Sequence, residues 1–156
     1  MRSGDTKGSS RNSRRELTRT GQMEKKSSEL TSFVVHQWQC DHFGHLNVRH
    51  YASMFDDAIF VFWNRAGLKR NSVVVPVTAS MKLTFRSEVS AGTVVRIESL
   101  VERVGGKSVT IVFRMLDSTD ASLLAESEVV EVFFDLGSRE SRPVPDKIRS
   151  SLELHS

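Results

Sequence analysis

The chain has 156 residues, 38% of them hydrophobic, with a formal net charge of +3. That length suits one domain with a real core, and no stretch is apolar for long enough to span a bilayer. Cys40 is the only cysteine, which excludes an intrachain disulfide and points to a reducing cytoplasm.

The charge is unevenly placed. Residues 1–30 carry eight Lys/Arg against four acids, so the rest of the chain is net negative by one. A nucleic-acid-binding body should itself be basic, so no nucleic-acid partner is expected. The same segment is rich in Ser, Arg and Lys and almost free of apolar side chains. It cannot bury enough surface to offset its ordering entropy and reads as a disordered basic tail, with the folded domain at 31–156. It lacks the apolar core of a secretory signal. Three readings of the tail compete: a solvated extension, an Arg- and Ser-rich organelle transit peptide, or residues upstream of a start at Met23.

From Thr31 the pattern changes. Ser32 to Trp38 is β-favouring and predicts a short strand. The loop "QCDHFGH" follows. Val48 to Ala66 then predicts a helix, because Tyr51, Phe55, Ala58, Ile59, Phe62 and Ala66 recur at spacings of three and four. Met54, Val61 and Trp63 widen that stripe, and Gly67 supplies a stop. Beyond it the period becomes two. In "TASMKLTF", Ala79, Met81, Leu83 and Phe85 alternate with polar residues, as a half-buried strand requires. Thr93–Val104 and Lys107–Leu116 form a hairpin about Gly105-Gly106, whose glycines tolerate positive φ. Leu123–Phe134 is the last long strand, and Asp146–Leu154 a short terminal helix. Strand, long helix and four closely connected strands predict an α+β domain: a curved antiparallel sheet wrapped around one helix. A sheet of that size exceeds what one helix covers, so a homodimer or homotetramer is expected.

The loop and helix start, "DHFGHLNVRHYASMFDDA" (Asp41–Ala58), resemble the hot-dog fold acyl-CoA thioesterases of the 4-hydroxybenzoyl-CoA thioesterase-like group. Their pattern is Asp, two residues, Gly-His, an apolar residue and Asn, then a helix with Tyr, Phe and small residues. "RSEVSAGTVVRIES" and the Gly-Gly hairpin extend the likeness over residues 32–150. One departure is Val48, where many members carry a second Asn. The resemblance implies that Asp41 is the catalytic carboxylate, acting as nucleophile or as general base on water. It implies an oxyanion site at the free amides near Val48 and Arg49, with His45 and Asn47 completing the catalytic set. Tyr51, Phe55 and Arg86 would bind an acyl-CoA substrate. Coenzyme A is then part of the substrate, and no cofactor or metal is required.

The chemistry suits those residue types. A thiol leaves as thiolate without a strong acid, so the reaction needs a carboxylate on one side and oxyanion donors on the other. Each residue also has a structural reading. Asn47 is a good N-cap, Gly44 permits an unusual backbone angle, and His45 organises the loop. Cys40 reads as a buried strand-end thiol. His42, His45 and His50 match no standard zinc spacing. Asp56 and Asp57 lie in the helix, and helical spacing puts Asp57 off the apolar stripe. Lys82, Arg86, Arg96, Arg103 and Lys107 are candidate cations for the coenzyme A phosphates. Two other functions fit the same fold: an acyl-CoA hydratase/dehydratase using His45 with Asp41, and a non-catalytic acyl-CoA-binding module.

Overall fold

The computed structural model describes residues 27–153. Most of the basic tail, Met23 included, and the end of the expected terminal helix at Leu154 lie outside the described residues. The chain order is β1 (Ser28–Val34), a 3-10 turn at Gln37–Gln39, α1 (Val48–Arg65), β2 (Val74–Phe85), β3 (Val94–Val104), β4 (Ser108–Asp117), β5 (Leu123–Asp135), β6 (Glu140–Ser141) and α2 (Asp146–Glu153). The strands form one antiparallel sheet ordered β1-β3-β4-β5-β2, with β6 pairing β5.

The alternation read from the sequence sets the inner face. Val109, Ile111, Phe113 and Met115 of β4 are fully buried, as are Val95 and Ile97 of β3 and Val129 and Phe133 of β5. Against them α1 lays Tyr51, Met54, Phe55, Ala58, Ile59, Phe62 and Trp63. Edge-to-face aromatic contacts lock the two layers, Phe62 on Phe113 with centroids 6.0 Å apart and Trp63 on Phe133 at 5.4 Å. Such pairs add about 0.5–1.5 kcal/mol beyond their burial. Ile148 and Leu152 of α2 join the same core. This is the hot-dog arrangement, a sheet around a central helix.

Three local expectations are corrected. The first strand starts at Ser28 and ends at Val34, so the domain begins before residue 31. Its polar start is held by pairing with β3 and by the Arg65 guanidinium, which donates to the carbonyls of Glu29 and Leu30. Trp38 lies on the 3-10 turn and is 69% exposed. The strand expected from Thr78 begins at Val74 and carries Pro76, which an edge strand tolerates. Its pairing shifts between Thr78 and Ser80, a bulge that breaks the expected alternation at Ala79. At the β3–β4 turn neither glycine adopts positive φ. Gly105 is instead needed for space, because a Cβ there would stand 3.2 Å from the Ser108 carbonyl oxygen.

Candidate active site

The site is built by a loop folded back on itself. The Asp41 amide donates to the His45 carbonyl at 2.8 Å and the Gly44 amide to the Asp41 carbonyl at 3.0 Å. Gly44 turns the chain at φ +86, a region that side chains disfavour. The Leu46 amide donates to Val89 at 2.7 Å and the Asn47 amide to Gln39 at 2.9 Å. A bridge Cys40–Leu46 closes the loop on itself, and a bridge His45–Ser90 fastens it to the segment between β2 and β3.

Asp41 is central to this turn. Its Oδ1 accepts from the amides of Phe43 at 2.8 Å and His45 at 3.3 Å. Among the described residues, nothing donates to Oδ2. Burial pushes the carboxyl up, but those two amides, with His42 and His45 nearby, outweigh it and hold its pKa below the ordinary carboxylate value. It is therefore ionised at neutral pH.

Asn47 caps α1, its side chain accepting from the Arg49 amide at 3.2 Å. The His50 and Tyr51 amides turn to the Asn47 carbonyl. Of the two donors expected to be free, Arg49 is therefore taken by the cap. The Val48 amide has no acceptor among the described residues. No acid occupies the first turn of α1, so the positive end of the helix dipole is uncompensated by the helix itself.

A cleft of about 460 Å³ opens here, bringing together Asp41, His45, Val48, Tyr51 and Arg86. Phe43, Phe85 and Glu88 also line it. Asn47 stands behind it as the cap. Phe55, expected to bind substrate, is 0% exposed, and its ring is committed to the core. Tyr51 forms one wall, packed edge-on to Phe85 at 5.0 Å. Burial, aided by Cys40 and Glu88, pushes its phenol up to about 12, so it is a neutral donor. His45 turns Nε2 to Glu88 at 3.2 Å. Arg86 pairs with Glu126 at 2.8 Å. Among the described residues no group of three or more His, Cys, Asp or Glu is placed to hold a metal ion. His50 is instead against Trp38 and His42 against Phe43.

Two residues escaped the sequence reading. Glu88 has no local signal. Glu131 had one: it occupies an inward position of β5 between Val129 and Phe133, where alternation calls for an apolar residue. It is 2% exposed. It accepts from the Trp63 indole at 3.3 Å and from the Thr78 hydroxyl.

Residues 34–152 match the thioesterase-like superfamily, and the chain belongs to that superfamily. Among solved structures it resembles the hypothetical protein SAV2348 of Staphylococcus aureus, determined in complex with CoA. The TM-score is 0.77 at 20% identity over 87% of each chain. It resembles Slr0204, a 1,4-dihydroxy-2-naphthoyl-CoA thioesterase from Synechocystis, with a TM-score of 0.71 at 13% identity over 81% of this chain and 96% of that one. PA5185 of Pseudomonas aeruginosa gives 0.73 at 21% identity over 80% and 89%. At these identities the likeness establishes the fold. No curated protein matches the chain.

Proposed function

We propose that the chain is an acyl-CoA thioesterase that hydrolyses an acyl or aroyl thioester to the free acid and coenzyme A. The observation that carries this reading is the pairing of Asp41 and Val48 in one cleft. Among the described residues, one offers a carboxylate oxygen with no partner, and the other a backbone amide with none. A thioester carbonyl between them would be attacked from the Asp41 side while the Val48 amide and the helix dipole stabilise the developing oxyanion. The new carbon–oxygen bond forms either to a water that gives Asp41 its proton or to Asp41 itself, and the carbon–sulfur bond breaks; in the second case a water then cleaves the resulting anhydride, releasing the acid and restoring the carboxylate. Thiolate leaves without an acid, and no cofactor or metal is required. Coenzyme A bound to the Staphylococcus aureus relative supports a CoA ester as ligand.

Within this reading Asn47 fixes the helix end and His45 fixes the loop. His45 faces Glu88 rather than a free position, which weakens the hydratase alternative. In this reading Tyr51 and Phe85 flank the acyl carbonyl region, and Arg86, a cation on the cleft wall, meets a coenzyme A phosphate. A cytoplasmic setting agrees with the lone cysteine and with the absence, among the described residues, of any helix long and apolar enough to cross a membrane.

The same proposal includes a homodimer paired along β2. This strand has β5 on one side and, among the described residues, no strand on the other. It is 12 residues long and exposes Val77 and Phe85. An open apolar edge of that length is a template for another chain. The test of the enzymatic reading is thiol release from a panel of acyl-CoA esters by wild type and Asp41→Asn. Release by wild type and its loss in the variant are expected. Equal release by both would remove Asp41 from the chemistry.

A further inference from the structure

A second cleft, of about 680 Å³, lies along the C-terminal half of α1 and the start of β2. Its walls include Ile59, Phe60, Trp63 and Pro76, and two carboxylates, Asp56 and Glu131, face into it. Phe60 is 71% exposed although large and apolar. Glu131 is the anomaly. A core position that alternation assigns to an apolar side chain holds an acid, at a cost in desolvation. The β2 bulge falls next to its cross-strand partner Thr78, and bulges collect beside functional sites. Burial, only partly offset by Thr78 and Trp63 and reinforced by Asp56, pushes its pKa up.

The two clefts sit at opposite ends of one strand. Val75, Pro76 and Thr78 near the start of β2 line the second, and Phe85 at its end lines the first. In the homodimer proposed above, a two-fold antiparallel pairing of β2 with itself over its full length would set Phe85 opposite Val74 of the partner subunit. The Asp41 cleft of each protomer would then abut the Glu131 cleft of its partner.

We infer that the two clefts join across the dimer into one substrate channel. Glu131 of the partner subunit is its specificity determinant, selecting acyl groups that end in a hydrogen-bond donor and rejecting those that end in a carboxylate. The inference rests on the thioesterase reading and names the substrate class of that site. Each carboxylate oxygen of Glu131 accepts one bond from the protein and retains capacity for another. A terminal hydroxyl or ammonium gives it a further donor. An alkyl end gives none, and a terminal carboxylate meets two acids of its own sign. Sites built to bond such a group discriminate more strongly than apolar pockets do.

The experiment compares kcat/KM for acyl-CoA esters of equal length ending in methyl, hydroxyl or carboxylate. Wild type favours the hydroxyl end over methyl by at least about tenfold, and Glu131→Leu brings the ratio to one or below. A mixed dimer of Asp41→Asn and Glu131→Leu chains then decides the geometry. Its one working Asp41 lies in the Leu-bearing chain and faces the intact Glu131 across the seam, so it keeps the wild-type ratio. A mixed dimer with the Glu131→Leu ratio would overturn the trans arrangement. A monomer in sedimentation, or a wild-type ratio near one with good turnover, would overturn the inference while leaving the thioesterase intact. No thiol release from any ester by wild type would overturn both. Should Glu131→Leu not fold, Glu131→Gln keeps the shape and removes the charge. It should admit the carboxylate-ended ester at least about tenfold better, and unchanged rejection would count against the proposal.

Discussion

Two carboxylates, Asp41 and Glu131, flank opposite ends of α1 and are held in opposite ways. Asp41 lies in a partly exposed loop, where two backbone amides outweigh desolvation and keep it ionised. Glu131 lies inside the sheet, where burial outweighs two side-chain donors and pushes its pKa up. The first arrangement keeps a charge ready next to a helix end that attracts developing negative charge. The second costs stability and returns none through packing. The loop thus keeps an anion available at little cost, whereas the sheet tolerates an acid whose presence the fold itself does not explain.

The largest effect separating the two concerns turnover. Asp41→Asn retains an acceptor oxygen for the Phe43 and His45 amides, so the loop is expected to survive, as near-unchanged melting would show. Turnover should fall by about 10²–10⁴-fold, the range for losing a positioned base. The pH profile of kcat/KM sharpens this. Because the carboxyl is depressed, the acid limb should lie below the ordinary carboxylate range, with activity full above it and lost as pH falls through it. An acid limb well above that range would assign the base to another group, Glu131 among them.

Stability reports on the other carboxylate. A raised folded pKa means that the folded state binds the proton more tightly than the unfolded chain. Wild type is therefore relieved of the buried charge below the unfolded value and carries its full cost above the folded one. Glu131→Gln removes that charge while an amide oxygen still accepts from Trp63 or Thr78. The variant should melt higher than wild type at neutral pH, and the difference should shrink as pH falls toward 4.5, the unfolded reference. Asp41, Asp120 and Asp135, all depressed, pull stability the other way in acid, but they are common to both proteins and cancel in the difference. A gap that stays constant with pH would show that the Glu131 carboxyl titrates alike in the folded and unfolded states.

The sequence made the first carboxylate legible and left the second hidden. Asp41, Gly44 and Asn47 act through local backbone geometry, a turn, a positive φ and a cap, and local geometry is written in adjacent residues. The stripe of α1 and the alternation of β4 are equally local. The sequence could not separate core from cleft along one apolar stripe: only packing sets Tyr51 at the cleft wall and its neighbour one turn on, Phe55, in the core. Nor could it decide whether the Arg49 amide stays free or, as the structure has it, is taken by the cap. Glu131 depends on Thr78 and Trp63, more than fifty residues away. Only its clash with the period-two pattern was readable. Ser28–Leu30 looked like tail because their strand is made by cross-strand pairing and by Arg65, not by their own composition.

Smaller effects test how the first site is held. Asn47→Ala should cost about 1 kcal/mol by loss of the cap, or roughly 3 °C in melting temperature. It also frees the Arg49 amide beside Val48. If a second donor at that end were enough for oxyanion binding, turnover would rise or hold despite the loss of stability. A fall in kcat larger than the melting shift accounts for would show that the cap positions the Val48 amide.

The smallest effect concerns Arg86, and it decides between two uses of one guanidinium. Its pair with Glu126 is half-exposed, and such pairs contribute about 0–1 kcal/mol, so Arg86→Ala should barely change melting. If Arg86 serves only that pair, KM is unchanged for every substrate. If it swings to a coenzyme A phosphate, KM rises for the acyl-CoA ester and stays level for the same acyl group on pantetheine, which lacks the nucleotide phosphates. Glu126→Gln sharpens the contrast, because it frees the guanidinium without removing it. The KM for the CoA ester should then fall, and a rise would place the phosphate contact on another cation.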